Sequence, residues 1–164
     1  YYYHAEQPIL NALYQGDMEI MMLRAPWVLG NGSWFHQLYT SHIMQHAFVP
    51  VYGNIQRSMS MITVEDCAGM LWHYANNAVY NKVYNIYTFG NVIYKDFIND
   101  IKSAYNCTST KAYAEKEMRE KMGKTSKNSI CCEVVLGTSY HDIMDSYNPV
   151  YKCLPKYLAQ LANK

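Results

Sequence analysis

The stretch GNIQRSMSMITVEDCAGML, residues 53–71, combines a glycine turn, an arginine, an alternating segment and a helix start. The alternation of small polar and apolar residues over 59–62 predicts a strand. Thr63 followed three residues later by Asp66 is a variant of the capping box, so we predict a helix over 64–76. Arg57 lies between the turn and the strand, where it is either a solvated loop charge or an anion-binding side chain.

The predicted helix over 64–76 has the best amphipathic pattern in the chain. Its apolar stripe, of the kind that faces a core, comprises Val64, Cys67, Ala68, Leu71, Tyr74 and Ala75. Asp66 is a candidate site carboxylate, but its capping position favours a structural role.

Length and charge exclude several classes of protein. The chain has 164 residues, half of them hydrophobic and 16% charged, which is enough for one domain or part of a larger one. A net charge of +1 and a pI near 7.8 give no electrostatic case for nucleic acid or an anionic membrane surface. No apolar run approaches the roughly 18 residues that a membrane-spanning helix needs.

The start of the chain and its cysteines suggest its context. The opening YYYHAEQPILNAL already reads as the middle of a helix, so we expect a piece of a longer protein. The five cysteines include the adjacent pair Cys131 and Cys132 and form no C-x-x-C motif. A reduced, cytoplasmic protein is the simpler interpretation.

Strand and helix patterns alternate over the first hundred residues. Apolar runs predict strands over 18–24 and 82–87. Residues 112–123 have the pattern of a polar helix. A last helix from about Val150 would face inward through Leu154, Tyr157, Leu158 and Leu161. We therefore predict an α/β fold with a helical C-terminal part.

Four segments, in order and near the expected spacing, resemble one enzyme family. They are AEQPIL (5–10), MMLRAPWVLGNG (21–32), YGNIQRSMSMITVEDCAGML (52–71) and KVYNIYTFGNVIYKDFINDI (82–101). Together they resemble the C-terminal half of an extended short-chain dehydrogenase/reductase, of the NAD-dependent epimerase/dehydratase family. The resemblance implies that residues 1–101 are half of a Rossmann-like NAD(P)-binding domain with substrate-loop insertions. Residues 102–164 would form a helical substrate-side region.

The resemblance also implies site residues and ligands. In the family, the arginine at the position of Arg57 often reaches a diphosphate on the substrate, and a guanidinium fork suits phosphate oxygens. The other reading of Arg57 is a surface side chain paired with Glu65 or left in water. The implied ligands are a small-molecule substrate and, in the intact protein, NAD or NADP. Arg57 would bind phosphate groups on that substrate. The implied substrate-binding residues are Arg57, Trp27, Asn31 and Trp34, and the implied cofactor-binding residues are Ala25 and Pro26.

Departures from the family pattern favour an alternative. The family's catalytic lysine falls on Tyr2, and its catalytic tyrosine would precede Tyr1, so no catalytic residue is assigned. No G-x-x-G-x-x-G phosphate fingerprint occurs, so we expect no tight dinucleotide binding by this chain alone. The family's usual asparagine falls on Trp27, which favours a flatter or more apolar ligand or a packing role. A non-catalytic binding or structural subunit with this fold stays open beside the enzyme.

A metal site is not predicted. His42 and His46 have the i, i+4 spacing that can share a metal, but no carboxylate lies between Glu19 and Glu65 to complete a ligand set.

Overall fold

The computed structural model describes residues 2–16, 18–77, 80–113 and 147–163. Within those ranges, helices and strands alternate along the chain. In order they are α1 (Tyr2–Gln15), β1 (Met21–Arg24), β2 (Trp27–Leu29), a π-helical turn (His36–Thr40), α2 (Ser41–His46), β3 (Val49–Tyr52), β4 (Ser58–Thr63), α3 (Val64–Asn77), β5 (Lys82–Asn85), β6 (Phe89–Ile93), α4 (Tyr94–Ala104), β7 (Thr110–Tyr113) and α5 (Leu154–Ala162). The predicted mixed α/β fold is confirmed.

The strands form three small sheets. β1 pairs with β5 and β3 pairs with β7, both in parallel. The third sheet has the order β2-β4-β6, in which β4 is parallel to β2 and antiparallel to β6. Parallel pairing requires crossover connections, and helix α3 lies in the connection between the two sheets that contain β4 and β5.

Strand β4 separates two hydrophobic clusters. Met59 and Met61 belong to the larger cluster, which also includes buried side chains of the π-helical turn, α4 and α5. Ile62 belongs to a smaller cluster, with Met70 and Tyr74 of α3. Because both faces of β4 are covered, nearly the whole strand is buried despite its serines. The strand is therefore a rigid element from which flanking residues can be positioned.

The predicted strand over 59–62 and helix over 64–76 are confirmed as β4 and α3. The strands predicted over 18–24 and 82–87 are shorter, as β1 and β5. Both begin just after a pair of hydrogen bonds between Ile20 and Asn81, in which the Ile20 N–H donates to Asn81 Oδ1 and the Asn81 N–H donates to the Ile20 carbonyl. In α5 the four predicted inward residues are buried, but the helix begins at Leu154 rather than near Val150.

The apolar stripe expected to face the core from α3 does not do so as a whole. Asp66, Met70 and Tyr74 form the buried face, whereas Val64 and Leu71 are 43% and 51% exposed. The neighbouring Trp72 is 76% exposed. The polar partners of the Asp66 carboxylate allow this charged residue to lie on the buried face, which apolar periodicity alone does not predict.

The polar helix predicted over 112–123 is wrong at its start. Ala112 and Tyr113 lie in β7, where they pair with Val51 and Tyr52 of β3. The Tyr113 ring stacks on the Tyr52 ring at 5.6 Å between centroids. Residues 114–123 of that prediction lie outside the described residues. None of the described helices is long and apolar enough to cross a membrane.

Candidate functional site

Arg57 is held at the entrance to β4 by the backbone of the next elements. The Tyr94 N–H donates to the Arg57 carbonyl at 2.9 Å, and the Lys95 N–H donates to the Ile55 carbonyl at 2.9 Å. Gly53, in the preceding turn, has a φ of 71°, a left-handed conformation that favours glycine. The Arg57 side chain is only 5% exposed. The loop therefore turns the arginine inward.

The Arg57 guanidinium lies against two aromatic rings. Its Cζ atom is 4.2 Å from the centroid of the Tyr94 ring and 5.9 Å from that of Trp27. Such contacts stabilise a cation by about 0.5 kcal/mol at exposed sites and by about 2 kcal/mol when desolvated. The structure therefore brings Arg57 and Trp27 together, as the resemblance implied.

Trp34 extends this aromatic surface. It makes an edge-to-face contact with Trp27 at 4.1 Å between ring centroids and contacts Tyr39 at 6.0 Å. Its Nε1 is buried and makes no hydrogen bond with any described residue. A buried donor without an acceptor costs about 1–3 kcal/mol, so this N–H is a candidate for a ligand contact. We refer to Trp27, Trp34, Arg57 and Tyr94 as the Arg57 cluster.

Arg57 is not a solvated surface side chain in the structure. Its side chain is buried, and the Glu65 carboxylate accepts a hydrogen bond from the Tyr157 hydroxyl at 3.1 Å. Whether the Arg57 cluster binds a substrate stays a prediction.

The other predicted site residues occupy connections. Asn31 is exposed in the turn after β2, and the described contacts give its side chain no part in the Arg57 cluster. That turn is closed by Ser33, whose hydroxyl donates to the Gly30 carbonyl at 2.7 Å and accepts the Phe35 N–H at 3.2 Å. Ala25 is exposed and Pro26 is buried in the link between β1 and β2. This link lies at the carboxyl end of β1, the edge where open parallel sheets bind ligands.

Asp66 lies at the opposite end of β4 and is fully buried. Its Oδ2 accepts the hydroxyls of Thr63 at 3.0 Å and Thr88 at 2.8 Å, while its own N–H donates to Thr63 Oγ1 at 3.0 Å. Its Oδ1 accepts the Val150 N–H at 2.7 Å and the Tyr147 hydroxyl at 3.3 Å. The carboxylate thus joins α3 to the segments before β6 and α5, which supports the structural interpretation.

Sequence reasoning missed Tyr94, whose hydroxyl lies in a buried tyrosine network. It shares a hydrogen bond with the Tyr39 hydroxyl at 2.8 Å and accepts the Tyr52 N–H at 3.0 Å. Burial, reinforced by Tyr94, raises the pKa of Tyr39 well above its ordinary value, and burial likewise raises the pKa of Tyr52. These phenols therefore stay protonated near neutral pH and act as hydrogen-bonding groups. No local spacing connects Tyr94 to Arg57, so the sequence carried no signal for it.

The two histidines of α2 have protein partners. Their ring centroids are 4.6 Å apart, His42 Nε2 lies 3.0 Å from the Tyr113 hydroxyl, and the His46 ring stacks on Phe48. Across the described ranges, no three His, Cys, Asp or Glu residues form a group that could hold a metal ion.

Comparison with known proteins gives structural matches but no sequence match. No protein-family model and no curated protein sequence matches the chain. The human epimerase family protein SDR39U1, solved with NADPH, is 16% identical at a TM-score of 0.70, over 87% of this chain and 48% of that one. A dTDP-glucose 4,6-dehydratase from Bacillus anthracis, solved with NAD, is 11% identical at a TM-score of 0.74, over 97% and 48%.

A third structural match is an epimerase solved with a bound ligand. A UDP-N-acetylglucosamine 4-epimerase from Methanobrevibacter ruminantium, in complex with UDP-N-acetylmuramic acid, is 15% identical at a TM-score of 0.68, over 96% of this chain and 49% of that one. At these identities the likeness shows the fold alone, and the chain spans about half the length of each matched protein. The predicted resemblance is confirmed: the chain has the fold of part of an extended short-chain dehydrogenase/reductase of the epimerase/dehydratase type.

Proposed function

We propose that this chain is the substrate-side part of an NAD(P)-dependent epimerase, dehydratase or reductase-like protein. In this proposal, residues 1–101 complete a Rossmann-like domain whose N-terminal half lies elsewhere in the same protein, and residues 102–164 form a substrate-side region. The support is the shared fold over about half the length of the matched enzymes. The catalytic tyrosine would lie upstream of this chain.

The observation that carries the proposed substrate is the burial of Arg57 on the rings of Tyr94 and Trp27. Ring contacts engage the faces of a guanidinium, whereas its N–H groups point outward along the edges in the planar fork that matches phosphate oxygens. A phosphate-bearing small molecule is the ligand class that this arrangement suits. The buried Nε1–H of Trp34, whose ring contacts Trp27, is a second candidate donor.

Trp27 and the turn Asn31–Phe35, which includes Trp34, would complete the substrate pocket around Arg57. The two indole rings offer an aromatic surface for a flat or apolar part of the ligand. Asn31, exposed in the turn after β2, would contact the ligand from the rim of the pocket.

The residues of this chain do not by themselves fit a dinucleotide. Ala25 and Pro26 lie at the carboxyl end of β1, where we propose that they contact NAD or NADP, but the chain has no glycine fingerprint for the pyrophosphate. The absence of measurable NAD(P) binding by the chain alone stays a prediction, which calorimetry showing a dissociation constant in the micromolar range would contradict.

We also propose a cytoplasmic location. The described cysteines Cys67, Cys107 and Cys153 are free thiols, which suits a reducing compartment.

The alternative is a non-catalytic binding or structural subunit with this fold. Tyr2, at the position of the family's catalytic lysine, favours it, because a phenol cannot supply the positive charge that the lysine provides.

Calorimetric titration with UDP, and with uridine as the ligand without phosphate, tests the proposal. Arg57→Ala should weaken UDP binding about tenfold or more, since a charge-assisted contact contributes roughly 1.5–3 kcal/mol. Arg57→Lys should recover only part of the affinity, because a point charge cannot reproduce the fork. Lys156→Ala, which removes an exposed cation of α5, should leave UDP binding unchanged.

Two results would contradict the proposal in different ways. Equal UDP affinity of Arg57→Ala and the unaltered protein would exclude the phosphate role of Arg57. Failure of the unaltered protein to bind UDP at all would favour the structural subunit.

A further inference from the structure

Tyr94 makes the closer of the two ring contacts with Arg57. The Arg57 Cζ atom lies 4.2 Å from the Tyr94 ring centroid, compared with 5.9 Å for Trp27. Tyr94 is fully buried, so a ligand that reaches the Arg57 cluster cannot contact the face of its ring directly. Any effect of Tyr94 on a ligand would therefore be transmitted through Arg57.

The Tyr94 ring is itself held in place from several sides. Its hydroxyl bonds to the Tyr39 hydroxyl and to the Tyr52 N–H. Its ring packs against Phe97 at 6.4 Å between centroids, one turn along α4. Its backbone N–H donates to the Arg57 carbonyl at 2.9 Å. One residue thus constrains both the backbone and the side chain of Arg57.

We infer that Tyr94 is a positioning residue, whose ring fixes the orientation of the Arg57 guanidinium and thereby raises affinity for a phosphate-bearing ligand. The part that concerns the ligand rests on the proposed function. The physical reason is that arginine has many rotamers, and immobilising such a side chain on binding costs about 0.5–1.5 kcal/mol. A ring that immobilises Arg57 before binding removes that cost from the binding step.

Three variants separate the ring from its hydroxyl. Tyr94→Leu removes the ring face, Tyr94→Phe keeps the ring and removes the hydroxyl, and Tyr39→Phe removes a hydroxyl partner of Tyr94 without altering its ring. Urea denaturation of each variant establishes that it folds before any comparison is made.

Nuclear magnetic resonance of the arginine Nε–Hε groups reports the ring contact directly. The chain has three arginines, Arg24, Arg57 and Arg119, so the Arg57 signal can be assigned by Arg57→Lys. Ring current from Tyr94 should displace the Arg57 signal in the unaltered protein, in Tyr94→Phe and in Tyr39→Phe. In Tyr94→Leu the displacement should fall to the smaller contribution of the more distant Trp27 ring, whereas Tyr39→Phe should keep the full displacement.

Calorimetry with inorganic pyrophosphate measures the consequence for binding. Tyr94→Leu should weaken pyrophosphate binding about threefold to tenfold, the range that corresponds to the cost of ordering one side chain, and Tyr94→Phe should stay within about twofold. An Arg57 signal or a pyrophosphate affinity unchanged in Tyr94→Leu would overturn the inference.

The two proposals fail separately. If the unaltered protein does not bind pyrophosphate, the proposed phosphate role of Arg57 fails, while the resonance experiment still decides whether Tyr94 positions Arg57. If Tyr94→Leu does not fold, Tyr94→Phe decides: loss of the Arg57 displacement with the ring retained would refute the ring contact, and its retention supports it.

Discussion

Each end of strand β4 carries a buried charged side chain, and the neighbours that stabilise the two charges differ. Arg57, just before the strand, lies against the faces of two aromatic rings. Asp66, in the first turn of α3 after the strand, accepts hydrogen bonds from three hydroxyls and one backbone N–H. Burying a charge costs free energy unless such partners compensate, so each of the two buried charges requires stabilising neighbours.

The difference separates a structural charge from a candidate binding charge. Hydrogen bonds of fixed direction occupy the lone pairs of the Asp66 carboxylate, whose partners come from segments that it joins together. The ring contacts of Arg57 are not hydrogen bonds of this kind, because the attraction is between the guanidinium charge and the aromatic rings. We therefore expect substitutions at the Asp66 end to alter mainly folding and those at the Arg57 end to alter mainly binding.

The largest expected effect is that of Asp66→Ala on stability. The change leaves the buried Thr63 hydroxyl and the part-buried donors of Thr88, Tyr147 and Val150 without this acceptor, and a buried donor left unsatisfied costs about 1–3 kcal/mol. We expect the free energy of unfolding, measured by urea denaturation, to fall by about 3 kcal/mol or more. Glu19→Ala, which removes an exposed carboxylate, should change it by about 0.5 kcal/mol or less. Similar small losses for both variants would refute the structural role of Asp66.

Gly30→Ala should have the next largest effect, through the packing of β2 on α3. Gly30 has a φ of 152°, and a Cβ there would lie 2.5 Å from Val64 Cγ2 and 3.6 Å from the Tyr157 hydroxyl. Backbone strain of this kind costs of order 1–3 kcal/mol. We expect a loss of about 2 kcal/mol by thermal or urea unfolding. Adding Val64→Ala should restore part of it; no recovery in the double variant would show that the contact with Val64 is not the cause.

Arg57→Ala should have the smallest effect on stability of the three. It removes ring contacts and packing, so we expect a loss of about 1–2 kcal/mol. The same variant should weaken UDP binding about tenfold, whereas Arg57→Lys should recover most of the stability and only part of the affinity. A loss of stability as large as that of Asp66→Ala would refute the distinction between a structural charge at Asp66 and a binding charge at Arg57.

Some of these features could be read from neighbouring residues alone. The capping pair Thr63 and Asp66 predicted where α3 begins, because the two side chains lie within one turn of each other. The buried face of α5 followed from helical spacing in the same way. Four short motifs in order predicted the fold that the structural matches confirm, although each motif alone was weak.

Whatever depended on contacts between distant segments was decided only by the tertiary structure. Helical spacing placed Val64 and Leu71 on an apolar stripe, but both are exposed, and the bonds from Thr88 and Val150 hold the charged Asp66 on the buried face instead. From the sequence, Arg57 was expected either to bind an anion at the mouth of a site or to be solvated. Its burial depended on Tyr94, which no local pattern links to it. Local sequence specifies hydrogen bonds and periodicity within a few residues, whereas the compensation of a buried charge requires groups that only folding brings together.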